Sequence, residues 1–155
     1  MKIALITDTH WGVRNDSVVF KEMIENFHLN VFFPYLEKHN INTIIHLGDI
    51  VDRRKYINYV TLNSFRENFI LQCQKQEIDL HVIIGNHDVP YRNSNQINAM
   101  SELFGLDIDF VEFYSEPEEI YCDGVKIALL PWINNSRCAK RTLLSVCLRN
   151  SIESA

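Results

Sequence analysis

Three short apolar runs each end in a cluster of side chains able to ligate a metal, and this recurrence constrains the chain more than any other feature. Residues 2–7 run into Asp8-Thr9-His10, residues 43–47 into Gly48-Asp49-Ile50-Val51-Asp52, and residues 80–84 into Gly85-Asn86-His87-Asp88. The runs are short, largely apolar and rich in β-branched residues, the pattern of strands buried on both faces. Between them lie two helical patterns. Residues 17–40 carry Val18, Val19, Ile24, Phe27, Val31, Phe32 and Leu36 at helical spacing, with Ser17 as the expected N-cap and Pro34 as the expected kink. Residues 60–76 place Leu62, Phe65, Phe69, Ile70 and Cys73 on one face. The order β-α-β-α-β predicts an α/β fold, a mostly parallel sheet flanked by helices. Ligands of open α/β sheets bind beyond the carboxyl ends of the strands. Asp8, His10, Asp49, Asn86 and His87 are therefore predicted to share one edge.

Downstream, residues 94–104 suggest a short helix and residues 110–113 a further strand. Residues 119–121 and 125–130 suggest a hairpin around Asp123-Gly124. With 155 residues and 46% hydrophobic content, the chain has the size and composition of one domain with a real core. No apolar run reaches the 18 or so residues of a membrane span. The four cysteines, at 73, 122, 138 and 147, form no Cys-x-x-Cys pair. Neither a zinc knuckle nor a redox motif is indicated, and a reduced cytoplasmic setting is expected.

The charge is uneven. After residue 135, Arg137, Lys140, Arg141 and Arg149 face Glu153 alone, a net of +3, which leaves −8 on residues 1–135 out of a total of −5. Every aromatic residue lies at or before Trp132 and every histidine at or before His87. Residues 1–135 thus read as one body and 136–155 as a divergent, frameshifted or disordered tail. A net negative chain is not a simple electrostatic DNA binder. Arg14, Arg53, Arg54, Lys55 and Arg92, however, fall on loops near the expected edge and could hold phosphates locally; the plain alternative is ordinary solvated charge.

Carboxylate, imidazole and amide oxygen form a mixed donor set that suits Mn²⁺, Fe²⁺ or Zn²⁺. Asp52 and Asp88 read as hydrogen-bond acceptors behind the ligands or as loop caps. His46, inside a strand, reads as a packed core histidine, and His28, His39 and His81 as surface residues.

Asp-x-His, Gly-Asp-x-x-Asp and Gly-Asn-His-Asp, in that order, resemble the first three motifs of the calcineurin-like metallophosphoesterase superfamily. The longer strings Asp8-Thr9-His10-Trp11-Gly12-Val13-Arg14 and Gly48-Asp49-Ile50-Val51-Asp52-Arg53-Arg54-Lys55 are similar to its double-strand-break repair nuclease branch, which includes the bacterial SbcD subunit. Asp52 fits the T-even phage recombination endonuclease group; many cellular members carry histidine there. The resemblance covers roughly residues 1–133 and implies the N-terminal part of the family's sandwich fold. It implies two divalent metal ions, Mn²⁺ by preference. Asp8 and His10 would bind the first, Asp49 both, and Asn86 the second. His87 would act beside the scissile phosphate. It also implies DNA and an SMC-like ABC ATPase as partners, homodimerisation, and the host cytoplasm for a phage protein.

The chain departs from that pattern. The family completes its metal shell with later histidines in Gly-His and Gly-x-His motifs, and this sequence has none after His87. The second ion would keep only Asp49 and Asn86. Two other readings follow: an inactive fragment with half a metal site, or a generic phosphatase acting on nucleotides or phosphoproteins.

Overall fold

The computed structural model describes residues 2–104 and 108–132. The composition break at residue 135 and the tail beyond it lie outside the described residues. Four strands, β1 (Ala4–Ile6), β2 (Thr43–His46), β3 (Asp79–Ile83) and β4 (Val111–Tyr114), form a parallel sheet in that order. A hairpin, β5 (Glu118–Cys122) and β6 (Val125–Leu129), turns at Asp123-Gly124. Both turn residues have positive φ, 53° and 79°, as a tight hairpin with the right-handed strand twist requires.

The period-two alternation of the strands divides the interior into two layers. Ile44, Leu80 and Val82 face a helical core built on Trp11, Phe33, Leu36, Phe65 and Phe69. Ile45 and Ile83 point to the opposite face, where Tyr114 and Leu129 cover them, backed by Ile120 and Ile127 of the hairpin. The α/β expectation is met: helices lie on one face and the hairpin on the other.

Each long helix is interrupted. The first runs α1 (Val18–Phe27), a π-helical turn at His28–Phe32, then α2 (Phe33–His39). Pro34 has no amide hydrogen to continue the α register, and the turn before it is widened rather than broken. The second runs α3 (Tyr59–Phe65), a π turn at Arg66–Ile70, then α4 (Leu71–Lys75). Phe33 N–H reaches His28 and Leu71 N–H reaches Arg66, five residues back in each case. The wider turns bring the pairs His28 and Phe33, and Phe65 and Ile70, all into the core. A short helix, α5 (Ala99–Phe104), follows the third strand-end loop.

Three sequence expectations need correction here. The Ser17 side chain makes no capping hydrogen bond. Val18, Val19, Phe27 and Val31 are exposed, and the buried side of the first helix is Ile24, His28, Phe32, Phe33 and Leu36. His28 is not a surface residue. It is fully buried, stacked on Trp11 at 5.4 Å, with Phe69 edge-on at 5.1 Å. Its Nδ1–H donates to the Ile24 carbonyl at 2.7 Å, and burial lowers its pKa against that bond. His81 is half-buried and bonded to the Tyr114 hydroxyl at 2.8 Å, and His39 is half-buried as well.

Candidate metal centre

The strand-end loops of β1 and β2 run side by side beyond the sheet. Asp8 N–H donates to the Gly48 carbonyl at 3.1 Å, His10 N–H to Asp49 at 3.1 Å and Trp11 N–H to Ile50 at 2.7 Å. To hold this pairing, Asp8, His10 and Asp49 adopt left-handed backbone conformations, with φ of 54°, 43° and 57°. Asp is among the residues that tolerate this region best, but each departure still has a cost, and such departures concentrate at functional sites.

Behind the loops two glycines meet. A Cβ on Gly48, whose φ is +98°, would lie 2.7 Å from Gly85 Cα, and one on Gly85 would lie 2.3 Å from both Asp49 N and Asp49 Oδ1. Only hydrogen fits at either position, because the obstructing atoms are mainly backbone. Asp88 then ties the second and third loops together. Its buried carboxylate accepts from the amides of Asp49, Ile50 and Gly85 at 2.9 Å each and from Val51 at 3.3 Å. Burial raises its pKa, while the Gly85, Val51 and Asp49 amides oppose the rise. Asp88 is thus a buried acceptor that joins the two loops.

His46 is fully buried, as expected of a core histidine, and also serves the edge. Its Nδ1 accepts from Gly48 N–H at 3.2 Å, which fixes the proton on Nε2, and Nε2–H donates to Thr9 Oγ1 at 3.0 Å. The Thr9 hydroxyl turns on to the Ile50 carbonyl at 3.4 Å. The relay needs a neutral imidazole, and burial holds the His46 pKa down at about 3.

The side chains converge on this frame. Asp8, His10 and Asp49 bring ligand atoms within 4.8 Å of one another, and so do His10, Asp52 and His87. Asp8 Oδ1 lies 3.4 Å from His10 Nε2, and His10 Nδ1 lies 3.8 Å from Asp52 Oδ1. Thr7 donates to Asp8 Oδ2 at 2.6 Å; with His10 beside it, that bond holds the Asp8 carboxyl below its usual range. His87 sits edge-on to His10, 4.8 Å between ring centres. Its backbone N–H donates to Asp49 Oδ1 at 2.8 Å. Its Nδ1–H donates to the Asp52 carbonyl at 2.6 Å, which leaves Nε2 for a substrate. With its amide assigned the orientation that its neighbours require, Asn86 donates from its amide nitrogen to Asp49 Oδ2 at 3.1 Å and accepts on its amide oxygen from Arg54 Nη2 at 3.0 Å.

The donor set fits a divalent ion: two carboxylates and an imidazole within reach, one carboxylate held ionised, and an His10 Nδ1 that is buried without a hydrogen-bond partner. All five residues expected at the edge are there. The basic loop residues divide. Arg53 is engaged by Asp16 at 3.0 Å and by Asn15, and stacks 4.9 Å from the Tyr56 ring. Arg54 is bonded to Asn86, Lys55 lies 5.5 Å from the Tyr91 ring, and Arg14 and Arg92 are exposed. Sequence reasoning passed over Thr7 and Thr9, although Thr9 sits inside the first motif and Thr7 directly precedes it. It also passed over Asp16, whose pairing with Arg53 has no local signal.

Residues 1–144 match the family described as calcineurin-like phosphoesterase. The chain is 35% identical over 136 residues to exonuclease subunit 1 of Enterobacteria phage T4, a match covering 86% of this chain and 38% of that protein. It is 28% identical over 120 residues to the DNA double-strand break repair protein Mre11 of Sulfurisphaera tokodaii, covering 77% of this chain and 30% of that protein. The chain therefore spans about a third of the length of these relatives. No helix among the described residues is long and apolar enough to cross a membrane.

Proposed function

The chain belongs to the calcineurin-like phosphoesterase family, and from that premise we propose that it is the N-terminal part of a metal-dependent DNA phosphodiesterase of the recombination-nuclease type. The observation that carries this reading is the convergence of Asp8, His10 and Asp49 at the carboxyl ends of two adjacent parallel strands. The relatives with nuclease and repair names support the choice of DNA.

In this reading Asp8, His10 and Asp49 would hold one divalent ion, Mn²⁺ by preference, and Asp49 and Asn86 would hold a second. When bound, such ions lower the pKa of a water and offset charge developing on a phosphoryl group. His87 is kept in one tautomer by the Asp52 carbonyl and offers Nε2 to the scissile phosphate, as proton donor or charge stabiliser. Asn86 would offer its amide oxygen to the second ion. Arg14, Lys55 and Arg92, exposed on the loops, hold flanking phosphates.

A second reading, an inactive fragment with half a metal site, is favoured by one observation: no histidine follows His87. Calorimetric Mn²⁺ titration alongside hydrolysis of bis(p-nitrophenyl) phosphate separates the two. Metal binding with turnover defeats the inactive fragment; binding without turnover defeats the active one. Homodimerisation belongs to the same reading, through the exposed stripe Val19, Met23, Phe27, Val31 and Tyr35. So do an SMC-like ATPase partner and a host-cytoplasm setting. Residues 136–155 are read as a divergent tail, although the family match runs to 144; sequencing the encoding DNA in the other frames tests this.

A further inference from the structure

The loops that carry the metal centre also enclose a cleft of about 400 Å³, whose apolar and aromatic lining the phosphoester chemistry leaves unused. One side is Val51 and residues 53–57, the other comes from the segment between Pro90 and Leu103. Val51, Ile57 and Ile97 give it an apolar lining, and Tyr56 and Tyr91 are aromatic residues 66% and 62% exposed. Arg53, Arg54 and Lys55 line it against a single acid, Glu102. Two of these cations lie over the two tyrosine rings.

We propose that this cleft takes an unpaired nucleobase of a DNA strand whose phosphate lies at the metal centre. The inference rests on the DNA reading above. Its own support is the shared construction of the two sites. Arg54 lines the cleft and donates to Asn86 of the metal edge. Asp52, whose carbonyl orients His87, directly precedes the cleft residues Arg53 to Ile57. Pro90 and Tyr91 follow from the loop that begins with Asn86. The two sites therefore share their loops, which sets the cleft beside the metal edge. The cleft is of ordinary size for a small-ligand site, apolar with a few polar groups at its rim. Exposed aromatic rings beside cations are what single-strand binders use to stack bases irrespective of sequence. A base within a duplex is stacked and paired and must leave the helix to enter.

Fluorescence anisotropy in EDTA compares a short oligothymidylate with an abasic phosphodiester strand of the same length and charge. Wild-type protein should bind the oligothymidylate about 10-fold more tightly. Tyr91→Ala and Ile97→Ser should each remove most of that preference and leave abasic binding unchanged. Both residues are exposed, so neither change empties the core, and circular dichroism checks the fold. Equal binding of the two strands by the wild type, or an unaltered preference in both variants, overturns the proposal. Hydrolysis of bis(p-nitrophenyl) phosphate is followed separately. Base-dependent binding without hydrolysis upholds the cleft and defeats the hydrolase reading; hydrolysis without base-dependent binding does the reverse.

Discussion

Asp8, His10 and Asp49 stand at positive φ; the Asp8 and His10 amides donate to carbonyls of the neighbouring loop, and the amides of that loop are tied to the buried Asp88 carboxylate. Val19, Met23, Phe27, Val31 and Tyr35, by contrast, sit on right-handed helical turns, Val31 on the π turn, with their side chains exposed. The metal edge accepts local strain and buries polar groups to fix a few side chains in place. The helical stripe accepts no strain and leaves apolar area for another surface. Substitutions at the edge should therefore disturb the fold and the site together, whereas those on the stripe should disturb only association.

The largest effect is expected at Asp88. Asp88→Ala leaves four amides without their acceptor in a buried site and should lower stability by about 4 kcal/mol in urea unfolding. Gly85→Ala comes next. A methyl group 2.3 Å from Asp49 N must displace backbone, at about 3 kcal/mol by the same measurement, and metal affinity should fall with it. Tolerance of either change would show that the edge is not rigid.

A pH series sharpens the contrast further. His46 has a folded pKa near 3 against an ordinary value of 6.5, so between those values the unfolded chain binds a proton that the folded one refuses. Stability from this group is full above pH 6.5 and is lost as pH falls towards 3, at about 1.4 kcal/mol per pH unit. His46→Gln should flatten that slope. The smallest effect is on the stripe: Met23→Lys should change monomer stability by no more than about 0.5 kcal/mol. Sedimentation should nonetheless show it shifting any dimer towards monomer. A large loss of stability would mean that Met23 is a core residue after all.

What the sequence shows and what it hides follow the same division. The strand-end chemistry is legible because ligation demands particular residue types at particular spacings, and parallel strand order brings them together. Asp88 is legible as an acceptor for the same reason. The helical layer is less so. Val19 and Ile24 look alike in an apolar pattern, and the π turns at His28–Phe32 and Arg66–Ile70 shift which positions face inward. Only packing decides, and it buries His28 against Trp11 and Phe69. The left-handed loop conformations and the Thr9–His46 relay depend on contacts between segments about 40 residues apart, which no local pattern records.

Mn²⁺ titration of the wild-type chain and of Asp49→Asn, by calorimetry at fixed pH, tests the central claim most directly. The account predicts saturable binding in the wild type and at least a 10-fold loss in the variant, with unfolding still cooperative. Absence of binding in the wild type, or equal affinity in the two proteins, would contradict it.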